Sequence, residues 1–261
     1  MSAAGRDTES LAEGTLISHL LELRNRLLKA VLAVTLVSIP CLFVANDIFN
    51  FVSQPLVDKL PEGAAMIATN VIAPFLTPFK LAIVVGLFLA MPYVLYQLWA
   101  FVAPGLYRHE KRFAVPLLVS SIVLFYGGVA FAYYLVFPVM FEFFASTGPS
   151  NVLMMTDINS YLDFVLMLFF AFGLAFEIPV ATVLLVVTGL VKVETLVKHR
   201  GYVLIGIFVI AAFLTPPDAI SQCIMALPMY ALYEAGLLLS RLMLKSRAKR
   251  EAEQAAAEKN G

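Results

Sequence analysis

Long apolar runs without alternation dominate the pattern of hydrophobic and polar residues along the chain. A helix needs about 20 mostly apolar residues to cross about 30 Å of hydrocarbon, and run length favours helices over strands here. The pattern predicts six membrane-spanning helices, over residues 27–45, 78–102, 113–137, 161–188, 202–214 and 219–239. The last two are predicted to be short, because the fifth has only 13 residues and the sixth is strongly apolar only over 223–233.

The segments outside these runs complete one predicted membrane domain, residues 1–261. Residues 1–26 carry charges of both signs without the apolar core of a signal peptide, and we expect a retained, amphipathic cytoplasmic helix. Residues 46–77 are too apolar for a plain connector, so we expect an outer cap loop with a short helix over 48–60. Residues 240–261 are predicted to be a charged cytoplasmic tail that is a frayed helix or disordered.

Composition supports a membrane protein. Hydrophobic residues make up 61% of the chain and charged residues 14%, against about 25% in an ordinary soluble domain. The mean hydropathy is +0.88. Together these values exclude a disordered chain and argue against a soluble globular protein. The formal net charge is zero, which also argues against a generally basic nucleic-acid binder.

The distribution of charge predicts the orientation. With six spans, 16 of the 18 Lys and Arg residues fall on the side that holds both termini. Only Lys59 and Lys80 fall on the other side. The positive-inside rule therefore places both termini in the cytoplasm.

Three acids are candidates for function. Glu177 lies within the fourth predicted span, where an ionisable side chain is costly and marks a functional site by default. Glu22 lies four residues before Arg26, so it is either a functional acid or half of an i,i+4 ion pair. Glu110 lies among cations in the first cytoplasmic loop, where it either balances charge locally or binds a ligand.

Two prolines predict kinks in the spanning helices, and one acid predicts a helix cap. Pro92 and Pro179 lie inside predicted spans and should kink them. Asp218 follows two prolines and precedes the sixth span, so we expect its carboxylate to cap that helix. No catalytic motif or metal-ligand spacing is visible, and we expect neither an enzyme nor a cofactor or metal site.

A proton-coupled small-solute transporter is the main alternative at this point, because an intramembrane acid beside a proline suits one. That alternative requires a second ionisable group facing Glu177 within the spans. Only Glu234, near the cytoplasmic end of the sixth span, is available for that role.

Several blocks of sequence resemble the TatC family, the multispanning receptor subunits of the twin-arginine protein translocase. They occur in the family's order: HLLELRNRLL at 19–28, ANDIFNFVSQPL at 45–56, FVAPGLYRHEKR at 101–112, PLLVSS at 116–121, FAYYLVFP at 131–138, FGLAFEIPV at 172–180, LTPPD at 214–218 and ALPMY at 226–230. The resemblance implies an all-α, glove-like concave fold of six transmembrane helices in the bacterial inner membrane.

The resemblance also implies a function and a set of site residues. TatC proteins bind the twin-arginine signal peptide of folded cargo at the cytoplasmic face. The family positions for that site fall on Glu22, Arg24, Phe101 and Glu110. Because carboxylates can accept the planar fork of arginine bidentately, we expect Glu22 and Glu110 to converge and bind the arginine pair.

Further family positions concern the partners and the outer loops. Glu177 matches the intramembrane acid that the family uses for polar contacts with TatA and TatB helices, and we expect it to keep a hydrated dent open. Pro55 and Asp218 match outer-loop positions whose loss impairs transport. Asn70 stands where many relatives carry an acid. The resemblance implies TatA and TatB as partners, a homo-oligomer within the complex and transport driven by the proton-motive force.

Overall fold

The computed structural model describes the backbone of residues 4–58, 65–102, 114–147, 155–215 and 218–260. Its side chains are described for 18–58, 65–101, 115–147, 155–215, 218–246 and 253. The helices within these ranges are α1 (Ala4–Phe43), α2 (Ala45–Val57), α3 (Ala73–Leu89), α4 (Met91–Val102), α5 (Ala114–Phe131), a π-helical turn (Ala132–Val136), α6 (Phe137–Thr147), α7 (Ile158–Ala175), α8 (Ile178–Val187), α9 (Val193–Lys198), α10 (Arg200–Leu214) and α11 (Ala219–Asn260). One isolated bridge, Ile67 to Asp157, is the extended pairing seen in these ranges. The predicted all-α class is confirmed.

Most of the predicted spans correspond to long apolar helices. Four helical stretches of the described chain are long and apolar enough to cross a membrane: Ser18–Phe43, Val115–Thr147, Ile158–Val187 and Ala219–Ser246. Helices α3 and α4 form a fifth candidate, bent by 50° at their junction. The bend lies beside Pro92, as predicted. Helix α10 is apolar but has only 15 residues, about 22 Å, which agrees with the short fifth span. The count of six remains a prediction.

Three helices run further than the apolar runs that predicted them. Residues 4–26 of the predicted N-terminal segment and the first span form one helix, α1. The third run continues through the π-helical turn to Thr147. Helix α11 continues from the sixth run to Asn260, because the Ala-rich tail with charges of both signs has high helix propensity. The shortness predicted for the sixth span therefore applies to its strongly apolar part and not to the helix.

The described contacts divide into two compact units, and the assignment of the chain to one membrane domain stays a prediction. The first unit comprises residues 1–48 and 78–118. There α1 crosses α3 at Gly86, where an added Cβ would lie 2.6 Å from the Cα of Ser38. Buried Cys41, Ala45 and Ala82 continue the contact. Small residues let the two helices approach closely, as is common between membrane helices.

The second unit comprises residues 49–77 and 119–261. Close crossings again depend on glycine. A Cβ at Gly236 of α11 would lie 2.9 Å from the Cα of Pro179 in α8, and a Cβ at Gly128 of α5 would lie 2.4 Å from the carbonyl oxygen of Phe172 in α7. Neighbouring aromatic rings fill the space between the helices on either side of the π-helical turn: Phe131, Phe137, Phe141, Phe169 and Phe172.

Candidate signal-peptide and partner sites

Glu22 lies on α1 in an ion pair with Arg26. Its Oε1 accepts from Nε of Arg26 at 2.9 Å and from Nη2 at 2.6 Å. The i,i+4 ion pair, one of the two roles that the sequence left open for Glu22, is therefore present. The side chain of Glu22 remains 37% exposed and that of Arg26 26%. Surface ion pairs of this kind contribute roughly 0–1 kcal/mol, so the carboxylate can change partners at low cost.

An open depression of about 440 Å³ lies beside this pair on α1. It is lined by Ser18, Leu21, Glu22, Asn25, Arg26 and Lys29. The lining combines one acid, two cations and two neutral polar side chains, so the surface can accept a charged, extended chain that brings its own guanidinium groups.

Phe101 lies beside the same turn of α1. Its ring, at the end of α4, stacks on the ring of His19 with centroids 4.3 Å apart and an interplanar angle of 21°. His19 precedes Glu22 by three residues, so both side chains lie on one face of α1. The stack therefore fixes the end of α4 next to the Glu22 turn. His19 was not among the predicted site residues, although its i,i+3 spacing from Glu22 was available as a signal.

Two further residues were predicted for this site, and the structure describes one of them. Arg24 is exposed and lies two residues from Glu22, which places it on a different face of α1. Glu110 lies outside the described residues. The convergence of Glu22 and Glu110 therefore remains a prediction.

Glu177 lies at the interruption between α7 and α8. Its backbone N–H donates to the carbonyl of Leu174 at 3.0 Å, and Pro179 follows in the first turn of α8. The helix is thus interrupted just before Pro179, where a kink was predicted, and α7 and α8 together still form one span. The carboxyl group hydrogen-bonds the Ser121 hydroxyl of α5. Oε1 is buried, and among the described residues it has no hydrogen-bond partner. A buried acceptor without a partner is costly, which makes Glu177 a candidate to receive a polar partner.

Glu234 has other partners. Its Oε2 accepts from Nη2 of Arg200 at 2.7 Å, and its Oε1 accepts from the Tyr230 hydroxyl at 2.9 Å. Both carboxylate oxygens are therefore occupied at the start of α10. The transporter alternative needed Glu234 as a second proton-carrying group facing Glu177, and these contacts give that alternative no support.

Pro55 lies inside α2 and removes a backbone donor. A proline has no N–H, so the carbonyl of Phe51, four residues earlier, lacks its regular helical donor. The Tyr133 hydroxyl of the π-helical turn donates to that carbonyl at 2.7 Å. The Tyr161 hydroxyl donates to the next carbonyl, that of Val52, at 2.8 Å. Pro55 thus leaves an acceptor through which a second helix holds α2.

Asp218 caps α11, as predicted. Its Oδ1 accepts from the backbone N–H of Ser221 at 2.7 Å, which satisfies one of the free donors at the start of the helix.

Asn70 also has a local role. Its side-chain oxygen accepts from the N–H of Ile72 at 3.0 Å, just before α3 begins. An amide oxygen is sufficient for this turn, so no charge is needed there.

Asp157 is a structural acid whose role was not predicted from the sequence. It caps α7 by accepting from the N–H of Ser160, and it also accepts from the hydroxyl and the N–H of Thr69. These hydrogen bonds, those from Thr69 above all, lower the pKa of Asp157 to about 2. The acid therefore ties the segment before α3 to the start of α7. An acid just before an apolar run is typical of a helix cap, but nothing in the sequence indicates the partner 88 residues away.

Comparisons with known proteins agree on one family. The family model described as Sec-independent protein translocase protein (TatC) matches residues 18–228. A TatC protein of Azotobacter chroococcum mcd 1 is 59% identical over 222 residues, covering 85% of this chain and 87% of that protein. TatC of Escherichia coli K12 is 53% identical over 236 residues, covering 90% and 92%. A crystal structure of the twin-arginine translocase receptor TatC superimposes with a TM-score of 0.77 at 36% identity, covering 86% of this chain and 98% of that one.

Several long apolar helical stretches, one of them interrupted at an acid with a buried carboxylate oxygen, define a polytopic α-helical membrane protein. The matches along most of its length narrow this class further. The chain belongs to the TatC family, the Sec-independent protein translocase proteins. It is a multi-pass protein of the bacterial inner membrane and a component of the twin-arginine translocase, so the predicted function and localisation are confirmed and the transporter alternative is not favoured.

Proposed function

We propose that Glu22 and Glu110 bind the paired arginines of a twin-arginine signal peptide at the cytoplasmic face, with Phe101 beside them and Arg24 nearby on a different face of α1. The observation that carries the proposal is the partly exposed pair of Glu22 with Arg26, in which one carboxylate already accepts two N–H groups of a guanidinium. An arginine of the peptide takes the place of Arg26 on the same carboxylate.

The surroundings support this exchange. The depression beside Glu22 is open, and the His19–Phe101 stack offers an aromatic surface next to it. Guanidinium groups stack on aromatic faces as well as pairing with carboxylates, whereas a lysine ammonium is a point charge. A site made of a carboxylate beside aromatic rings therefore favours arginine over lysine.

The test is a binding titration. Purified full-length chain in detergent is titrated with a fluorescent signal peptide carrying Arg-Arg or Lys-Lys. The Glu22→Gln variant should bind the Arg-Arg peptide several-fold more weakly, because it loses a charge-assisted hydrogen bond to the peptide of about 1.5–3 kcal/mol and a surface pair with Arg26 of only about 0–1 kcal/mol. Glu110→Gln should act in the same direction.

A second variant separates binding from folding. Arg26→Gln removes the resident competitor of the peptide and should leave affinity equal or improved, an outcome that misfolding cannot produce. Asp58→Asn, which neutralises an exposed acid of the predicted outer side, is the matched control and should bind like the wild type. Unchanged affinity in both Glu22→Gln and Glu110→Gln would overturn the proposal.

We further propose that Glu177 receives a polar side chain from a TatA or TatB helix. The buried Oε1 of Glu177, which lacks a partner among the described residues, supports this role. Several copies of the chain assemble with TatA and TatB, the proton-motive force drives transport, and the chain itself supplies binding surfaces and no catalytic step.

Transport and assembly test the role of Glu177. Membrane vesicles containing the Glu177→Leu variant should lose transport of a folded twin-arginine cargo and co-purify less TatA and TatB. Glu177→Gln keeps a hydrogen-bonding group at this position and should retain more of both. Full transport and assembly by the leucine variant would refute the proposal.

A further inference from the structure

A second surface with an excess of positive charge lies between α9 and the far end of α11. This surface contains an open pocket of about 420 Å³. The lining residues are Val193, Glu194, Val197, Lys198, Arg241, Leu244 and Lys245. Both helices belong to the second compact unit, and we call this surface the α9–α11 pocket.

The cations of the pocket are available. Lys198, Arg241 and Lys245 are exposed, and within the part of the chain that the structure describes none of them has an ion-pair partner. Arg241 and Lys245 are four residues apart, so they point from one face of α11. Glu194 is the acid of this lining, which leaves an excess of two positive charges.

The pocket lies at the level of a membrane surface. A helix that begins at Ala219 crosses about 30 Å of hydrocarbon in about 20 residues, so α11 reaches the boundary just before Arg241. About two turns before Arg241, the Tyr233 hydroxyl donates to the carbonyl of Leu196 at 2.8 Å and holds α9 against α11. The distribution of Lys and Arg predicts that this is the cytoplasmic side.

The lining of the α9–α11 pocket combines cationic and apolar side chains. Val193, Val197 and Leu244 form an apolar wall next to the cations. A soluble anion uses only the cations, whereas a lipid presents a phosphate next to an apolar glycerol and acyl region. Basic residues immediately beyond a membrane helix attract anionic lipids for this reason.

We propose that the α9–α11 pocket binds the headgroup phosphate of an anionic phospholipid, with Arg241, Lys245 and Lys198 as donors and the apolar wall against the start of the acyl chains. The bound lipid joins α9 to α11 through its headgroup. Glu194 weakens the site by repulsion and keeps it from accepting anions indiscriminately.

Lipid titrations test the site. The full-length chain in detergent is titrated with short-chain phosphatidylglycerol or phosphatidylcholine, and bound lipid is counted by native mass spectrometry. Phosphatidylglycerol should bind more tightly. Arg241→Gln and Lys245→Gln should each weaken phosphatidylglycerol binding about fivefold, because one basic residue near an anionic membrane surface contributes about 1 kcal/mol. Lys192→Gln removes a cation next to the pocket that does not line it, and should have no effect.

A variant that is expected to gain affinity distinguishes loss of the lipid site from misfolding of the protein. Glu194→Gln removes the repulsive charge and should tighten phosphatidylglycerol binding, which a damaged protein cannot do. Equal binding of the two lipids, or an equal loss in Lys192→Gln and Lys245→Gln, would overturn the proposal. Inorganic phosphate is titrated separately. Full displacement of the lipid by millimolar phosphate would assign the pocket to a free anion and would also overturn the lipid site.

Discussion

The contact between Pro55 and Tyr133 predicts a specific coupling between two mutations. Tyr133→Phe removes the hydroxyl that donates to the Phe51 carbonyl at 2.7 Å, and it keeps the ring, whose centroid lies 4.9 Å from that of Phe51. With proline at position 55, the carbonyl then has neither the tyrosine nor a helical donor. In the Pro55→Ala background, the new alanine supplies a backbone N–H four residues on, which can bond the same carbonyl.

The magnitude follows from one hydrogen bond. A typical intramolecular hydrogen bond contributes about 0.5–1.5 kcal/mol net, and Phe51 is well exposed, so the lower half of this range applies. Tyr133→Phe should therefore cost about 0.5–1 kcal/mol in the wild type and much less in Pro55→Ala. Pro55→Ala itself should stabilise α2, because proline in a helix interior is unfavourable.

The assay is a double-mutant cycle in free energy of unfolding. The four proteins are unfolded by SDS titration in mixed micelles, and the coupling energy is taken from the cycle. Tyr134→Phe is the control, since this hydroxyl is exposed and has no hydrogen bond among the described residues. An equal cost of Tyr133→Phe in both backgrounds would refute the argument that the proline creates the acceptor.

Three further predictions concern packing and caps. Gly86→Ala should destabilise the chain by about 1–3 kcal/mol in the same SDS titration, because the new Cβ would meet the backbone of Ser38. Gly206→Ala is the control and should be neutral or stabilising, because the space around Gly206 is open. Equal effects of the two substitutions would contradict the close crossing of α1 and α3. The lowered pKa of Asp157 predicts that the wild type is more stable than Asp157→Asn above the ordinary pKa of 3.8 and loses this advantage as the pH falls to about 2. Melting curves across this pH range check it, and a pH-independent difference would count against it. Asp218→Ala should cost about 1 kcal/mol in unfolding free energy and Asp218→Asn much less, since an amide oxygen still accepts at the cap; equal losses would exclude capping as the cause.

The apolar runs were sufficient to predict where most helices lie. In lipid, backbone polar groups must be hydrogen-bonded within the protein, and a helix satisfies them within one segment. They did not predict where helices end. Prolines illustrate the reason. Pro92 lies at a 50° bend, whereas Pro40 and Pro228 lie inside long helices. Whether a proline bends a helix depends on which neighbours satisfy the freed carbonyl, and those neighbours come from other parts of the chain.

The candidate site shows the same division. The Glu22–Arg26 pair could be predicted because it depends on spacing along one helix. The stack of Phe101 on His19 joins residues far apart along the chain and could not be predicted from local pattern. That Oε1 of Glu177 has no hydrogen-bond partner among the described residues also depends on which helices surround it. The sequence therefore identified the charged groups, and the packing determined which of them remain available.

Site-specific crosslinking tests the central claim most directly. A photoreactive probe is placed beside the arginine pair of a signal peptide and illuminated in membranes that contain this chain. Crosslinks to α1 around Glu22 and to the segment around Glu110, lost when the pair is changed to Lys-Lys, are the result we predict. Crosslinks that form equally with Lys-Lys, or that fall elsewhere on the chain, would contradict the assignment of Glu22 and Glu110 to the arginine pair.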